Sequence, residues 1–203
     1  MSNSDYQNDQ DKSFSPEESL QLIQTMIQKT KDSVAVDSFY LLFWGWLVFI
    51  CCIVEYVLMV YVKYPYHSFV WWAMPVGGII SGIYSSRQAK KQKSVTYIEE
   101  ALGYLWIAIG ISFFVMVFIN VTSEAWNTAF TYYILMYAIG TFVSGKLIRF
   151  QPLVIGGILN FIIAAVSIKF NFAGQLLMGA LAILISYIIP GHLLRIRYNT
   201  KKS

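Results

Sequence analysis

Residues 39–62 read FYLLFWGWLVFICCIVEYVLMVYV, a run of 24 positions in which Glu55 is the one charged side chain. Crossing about 30 Å of hydrocarbon takes about 20 helical residues. This stretch therefore has the length and composition of a membrane span, and it is too continuously apolar for a half-buried helix of a soluble domain. Comparable runs occur at 68–86, 97–120, 125–145 and 172–190, with a shorter one at 150–169 whose strictly apolar part is Leu153–Ile168. Backbone groups facing lipid must be satisfied within their own segment, so these runs are expected to be helices. The fold expected is an all-α, polytopic membrane helical bundle over 39–194, with six transmembrane helices in three hairpins. A soluble N-terminal segment, 1–38, precedes it, and a basic tail, 195–203, follows.

Composition supports this reading. Hydrophobic residues make up 57% of the chain and charged residues 13%, where soluble chains carry about 25% charged. The charges are also segregated: residues 1–38 hold 10 of the 26, 39–86 only Glu55 and Lys63, and 150–194 only Lys169. A nucleic-acid enzyme, a secreted disulfide scaffold and a disordered chain are excluded. Orientation follows from the basic residues of the short loops. With the N-terminus inside, 13 Lys and Arg fall on the inner side and only Lys63 and Lys169 on the outer. Both termini are then cytoplasmic, with Trp71, Trp72 and Trp126 at the outer interface. No signal peptide is legible in the polar start, so 39–62 is expected to insert as an uncleaved anchor. The net charge of +4 does not call for nucleic acid: Arg87, Lys90, Lys91 and Lys93 share one inner loop, where they would at most touch anionic lipid.

The N-terminal segment carries its own design. Ser15-Pro-Glu-Glu18 supplies a cap, a proline suited to the first turn and a capping-box glutamate. Beyond it, Leu20, Leu22, Ile23, Met26, Ile27 and Val34 fall within an arc of about 160°. Glu17, Glu18, Lys29, Lys31 and Asp32 take the other half. This predicts an amphipathic helix over 16–34 whose apolar face packs on its own bundle, on a twin subunit or on another protein. Its polar face has two Lys against three carboxylates, unlike the Lys/Arg-rich face of a leaflet binder.

Several features inside the spans bear on packing. Gly77, Ser81 and Gly82 recur as Gly140, Ser144 and Gly145, and Gly78 and Gly82 are four apart. Small residues at this spacing let helices approach closely in lipid. A parallel hairpin repeat is the alternative reading. Pro75 is expected to kink the second span, and Pro190-Gly191 to end the sixth. Thr96-Tyr-Ile-Glu99 caps the third. Cys51 and Cys52 are adjacent and are read as small packing residues. The Asn120-Val-Thr122 sequon lies too close to the bilayer for use.

Two polar groups are the site candidates. Glu55 lies about 10 Å below the outer end of its helix, where an unpartnered carboxylate costs about 2 kcal/mol. It is either a proton or cation site, or a residue bonded to a Tyr, an Asn or Lys169. Asn160 sits near the middle of the fifth span, where bonding to another helix is its expected work. No catalytic or metal site and no cofactor is expected. There is no Asp after Asp37, Glu99-Glu100 lacks the Arg expected at position 104, which is Tyr104, and His67 and His192 fall on opposite sides. Nucleophile-elbow, phosphate-loop and dinucleotide fingerprints are absent.

The Pro75-Val-Gly-Gly-Ile-Ile-Ser-Gly82 stretch, the basic loop after it, Gly103-Tyr-Leu-Trp106 and Ser15-Pro-Glu-Glu-Ser-Leu20 together resemble uncharacterised multi-pass proteins of bacterial genomes. The resemblance implies a bacterial cytoplasmic-membrane location and carries over no activity. Function is expected to be that of a non-catalytic assembly or regulatory protein presenting its cytoplasmic amphipathic helix. The alternative is a small proton-coupled transporter or channel, with Glu55, Asn160 and Pro75 near its path.

Overall fold

The computed structural model describes residues 16–91 and 97–200, with side chains described at Gln21, 38–87 and 97–196. Within these residues every regular element is helical: α1 (Pro16–Val57), a π-helical turn (Leu58–Val62), a 3-10 segment (His67–Trp72), α2 (Ala73–Lys91), α3 (Tyr97–Ser123), a 3-10 turn (Trp126–Thr128), α4 (Ala129–Leu147), α5 (Gln151–Ser167), α6 (Phe172–Ile183), a second π-helical turn (Leu184–Ile188) and α7 (Ile189–Thr200). Three helices have the length and apolarity to cross a membrane: Ser38–Val62, Tyr97–Ser123 and Phe172–Ile196. A shorter apolar helix is Gln151–Ser167.

α1 differs from the expected pair of separate elements. The soluble helix expected over 16–34 and the first span form one helix of 42 residues, about 63 Å long at 1.5 Å per residue. The reason is local: after Pro16 this stretch contains no proline and only Gly45, so nothing at 35–38 breaks the hydrogen-bond ladder. The change at Phe39 is one of solvent preference, and it leaves the backbone untouched. Ser15 and Thr96 lie outside the described residues, and so do the side chains of Leu20, Leu22, Ile23, Met26, Ile27, Val34, Lys90, Lys91 and Lys93.

The core forms on one seam of α1. Ser38, Leu41, Gly45, Val48, Cys52 and Glu55, alternately three and four apart, are all buried, the spacing of a helix packed lengthwise on a partner. That partner is α6 with α7. A Cβ on Gly45 would sit 3.0 Å from Tyr187 Cβ, and one on Gly191 3.0 Å from Leu42. α4 and α5 press together through glycine: a Cβ at Gly145 would meet the Val154 nitrogen at 2.7 Å, and one at Gly157 the Phe142 Cα at 2.7 Å. Their tight connection closes on Arg149 at φ 54°, with the Phe150 N–H donating to Gly145 O at 2.9 Å. That is the left-handed C-terminal turn glycine usually supplies.

Both prolines behave differently from expectation. Pro75 falls in the first turn of α2, because the helix proper begins at Ala73 after the 3-10 segment. First-turn N–H groups have no intrahelical acceptor, so Pro75 deletes nothing and no break results. Pro190 does not end the sixth helix either, since α7 continues to Thr200. A proline ring clashes with the carbonyl four residues back, here Ser186, and the π-helical turn Leu184–Ile188 widens the ladder at that place.

α2 and α3 are peripheral. α2 touches α1 where Gly77 meets Leu47 and Trp44, yet a Cβ at Gly78 or Gly82 would find nothing within 4 Å. Those two glycines therefore do not serve close packing within the chain. α3 lies on α4 through Ile109 and Trp106, which crowd Gly140, and through Phe113 and Asn120, while its outer face is exposed and apolar, including Ile111, Phe114 and Phe118. Contiguous exposure on this scale is foreign to water-soluble monomers and fits a chain whose solvent is hydrocarbon.

Candidate functional site

Glu55 ends the buried seam of α1, and its position there explains its burial: it is 1% exposed. Four residues of connection, 63–66, return the chain to the last turns of the same helix. Lys63 starts that return in the left-handed region, φ 53°, and the Tyr64 N–H donates to Leu58 O at 2.9 Å. The 3-10 segment His67–Trp72 then lies along α1 and supplies both partners of the carboxylate. His67 Nδ1 is 3.0 Å from Glu55 Oε1, and the Trp71 indole N–H donates to Oε2 at 2.5 Å. One turn down α1, the Cys51 thiol donates to Val70 O at 3.7 Å. Two side chains on one face of α1, Glu55 and Cys51, thus engage a single short segment through three bonds, two of which converge on Glu55. His67 is 27% exposed and Glu55 1%, so the imidazole is partly open to its surroundings and the carboxylate is sealed.

The partner expected for Glu55 was a Tyr, an Asn or Lys169; the structure uses histidine and tryptophan instead. In the sequence His67 reads only as a possible metal ligand and Trp71 only as an interface aromatic. Their spacing could have revealed them, because a short return forces residues 67–71 back onto the helix end that carries Glu55.

The same end of the molecule links the 3-10 segment to the starts of α4 and α6. The Trp71 ring lies 5.4 Å from Phe130 at the start of α4, and Phe130 lies 5.5 Å from Phe172 at the start of α6. Gln175, fully buried, donates from Nε2 to Asn127 O at 2.6 Å and to Phe170 O at 3.0 Å. Sequence reading did not single out Gln175.

Asn160 is also fully buried. Its Nδ2 donates to Ser186 Oγ at 2.9 Å, and Ser186 Oγ donates to Ala182 O at 2.7 Å, so it joins α5 to the π-helical turn. Glu55 and Asn160 have separate partners and are not brought into one site. The other bonds between helices are of the same kind. Trp106 Nε1 donates to Ser144 Oγ at 3.2 Å, Asn120 Nδ2 donates to the Tyr133 hydroxyl at 3.2 Å, and Thr131 and Ser167 hydroxyls meet at 2.8 Å. Asn120, the sequon residue, is thus buried and committed to α4. Of the small residues singled out, Gly77, Gly140, Ser144 and Gly145 lie in helix contacts, whereas Ser81 Oγ is buried without a hydrogen-bond partner. Cys51 and Cys52 are both buried free thiols. Among the described residues no three His, Cys, Asp or Glu side chains gather as a metal site. Comparison with family models, curated proteins and solved structures finds no match.

Proposed function

We infer that this chain is a six-span protein of a bacterial cytoplasmic membrane, with both termini inside, acting as a non-catalytic assembly or regulatory component. The observation carrying the reading is the unbroken helix Pro16–Val57. It is about twice as long as a bilayer's hydrocarbon is thick, so one rigid element joins the amphipathic stretch 16–34 to the membrane bundle. The apolar face of Leu20, Ile23, Met26, Ile27 and Val34 is then held at a fixed distance below the membrane, where a twin subunit or another protein docks on it. The lipid bilayer is the obligatory partner of the rest, and the basic sequence Arg87, Lys90, Lys91 and Lys93 suits contact with anionic headgroups. Six spans are supported by three long apolar helices together with α2, α4 and α5 between them, and by the 13-to-2 partition of Lys and Arg.

The rival reading, a proton-coupled transporter or channel, draws on the Glu55–His67 contact. It is less well supported, because both oxygens of Glu55 and the amide nitrogen of Asn160 are spent on holding helices together. Photo-crosslinkers at Gln21 and Gln28 test the docking reading in native membranes, with the exposed Trp46 as lipid-facing control. Defined adducts at the first two positions and none at the third are expected. Absence of adducts at Gln21 and Gln28 refutes the docking reading.

A further inference from the structure

We propose that Glu55 and His67 form a proton-operated latch that holds the segment His67–Trp72 on α1 while the imidazole is charged and loosens when the imidazole loses its proton. This goes beyond the docking function inferred above and stands independently of what binds the N-terminal helix. The argument starts from convergence. The segment is fixed to α1 by three side-chain bonds, and two of them, from His67 and Trp71, end on one buried carboxylate. Whatever weakens the carboxylate's hold loosens the whole segment.

The charges around Glu55 are few. The 3-10 segment contributes His67, and α1 itself contributes Cys51 and Cys52, which lie within electrostatic range of the carboxylate. From α4, Tyr137 faces the two cysteines, and from the second π-helical turn Tyr187 faces Tyr137. Phe130, the α4 residue against Trp71, is apolar. Among the described residues, His67 is the group in contact with Glu55 that can carry a positive charge. Of these groups imidazole is the one whose ordinary chemistry changes charge between about pH 5 and pH 8.

Exposure assigns the roles. The imidazole is partly exposed and exchanges its proton without any rearrangement, whereas the carboxylate is sealed beneath it. With the imidazolium in place the pair is neutral overall and both carboxylate oxygens are bonded. Loss of that proton replaces the ion pair with a bond between the buried carboxylate and a neutral ring, a weaker hold that offsets less of the cost of burying the charge. The segment then opens more readily, and each opening brings water to the carboxylate. The hold is therefore strong while the imidazole is charged and weaker once it is neutral. Because Trp71 also packs on Phe130, and Phe130 on Phe172, opening of the segment loosens its link to the starts of α4 and α6.

Hydrogen–deuterium exchange on the full-length protein in nanodiscs tests this. Rates for the peptide covering 64–72 are corrected for intrinsic pH dependence and compared between about pH 6 and about pH 9. Exchange is expected to rise roughly tenfold on the alkaline side, a figure discounted for the imidazole's partial exposure, while the peptide covering α5 stays protected. Glu55→Gln, which keeps an oxygen and removes the charge, should abolish the pH response, and so should His67→Gln. Should Glu55→Gln fail to fold, as judged by α5 protection, His67→Gln at the more exposed position decides alone. A wild-type response that is absent or reversed, or one that persists in His67→Gln, overturns the proposal.

Discussion

Gly157→Ala should loosen the molecule where two helices come closest. The added methyl would lie 2.7 Å from both the Cα and the nitrogen of Phe142 and 2.8 Å from its Cβ. Ordinary contact begins near 3.4 Å, so α4 and α5 must part by at least 3.4 − 2.7 = 0.7 Å along that line. None of the three atoms is the free end of a side chain, so no rotamer change relieves the clash. Overpacking of this kind costs about 1–3 kcal/mol, which for a chain of this size corresponds to roughly 2–12 °C in melting temperature. Gly78→Ala is the internal control, since the same methyl there meets nothing within 4 Å and alanine is the better helix former. Thermal unfolding in one detergent, followed by circular dichroism and by monodispersity on size exclusion, should place Gly157→Ala well below wild type and Gly78→Ala at or above it. Equal midpoints for the two variants would refute the reasoning that glycine is required by backbone approach at 157 and not at 78.

Two further outcomes are expected. Asn160→Leu, close in volume, removes a buried amide whose Oδ1 has no partner, while Ser186 keeps its bond to Ala182 O; stability should change by less than about 1 kcal/mol, and a loss above about 3 kcal/mol would mean that Asn160 does more than join two helices. In intact cells an impermeant thiol reagent should label Tyr66→Cys and leave Arg87→Cys unlabelled until the membrane is opened, with the buried Cys51 and Cys52 silent in both; the reverse pattern would invert the proposed orientation.

The helical class and the positions of the apolar helices were legible because hydrophobic run length reports on solvent directly. α3 begins at Tyr97, and α5 is the short apolar helix, both as read from composition. The prolines were misread for a different reason. Pro75 and Pro190 were judged by residue type, but their effect depends on register, whether in a first turn or behind a π-helical turn, and register is set by the contacts of neighbouring segments. Glu55 was found because a carboxylate in an apolar run is conspicuous. Its partners were not, since the four-residue return that delivers His67 and Trp71 becomes informative only once the helix end is located. The glycines show the same limit: Gly82 and Gly145 hold the same place in the repeated pattern, and only packing decides that one faces nothing while the other touches a neighbouring backbone.

The length of α1 has a mechanical consequence. Glu55 and Pro16 stand on one rod, about 58 Å apart by helical rise, so a pivot of about 5° at the carboxylate sweeps the far tip sideways by about 5 Å. That is close to one helical pitch, enough to exchange one set of meshed ridges for the next on whatever surface the tip rests against. An angular shift at one end of the bundle, scarcely larger than thermal jitter, is thereby geared into a change of engagement at the other.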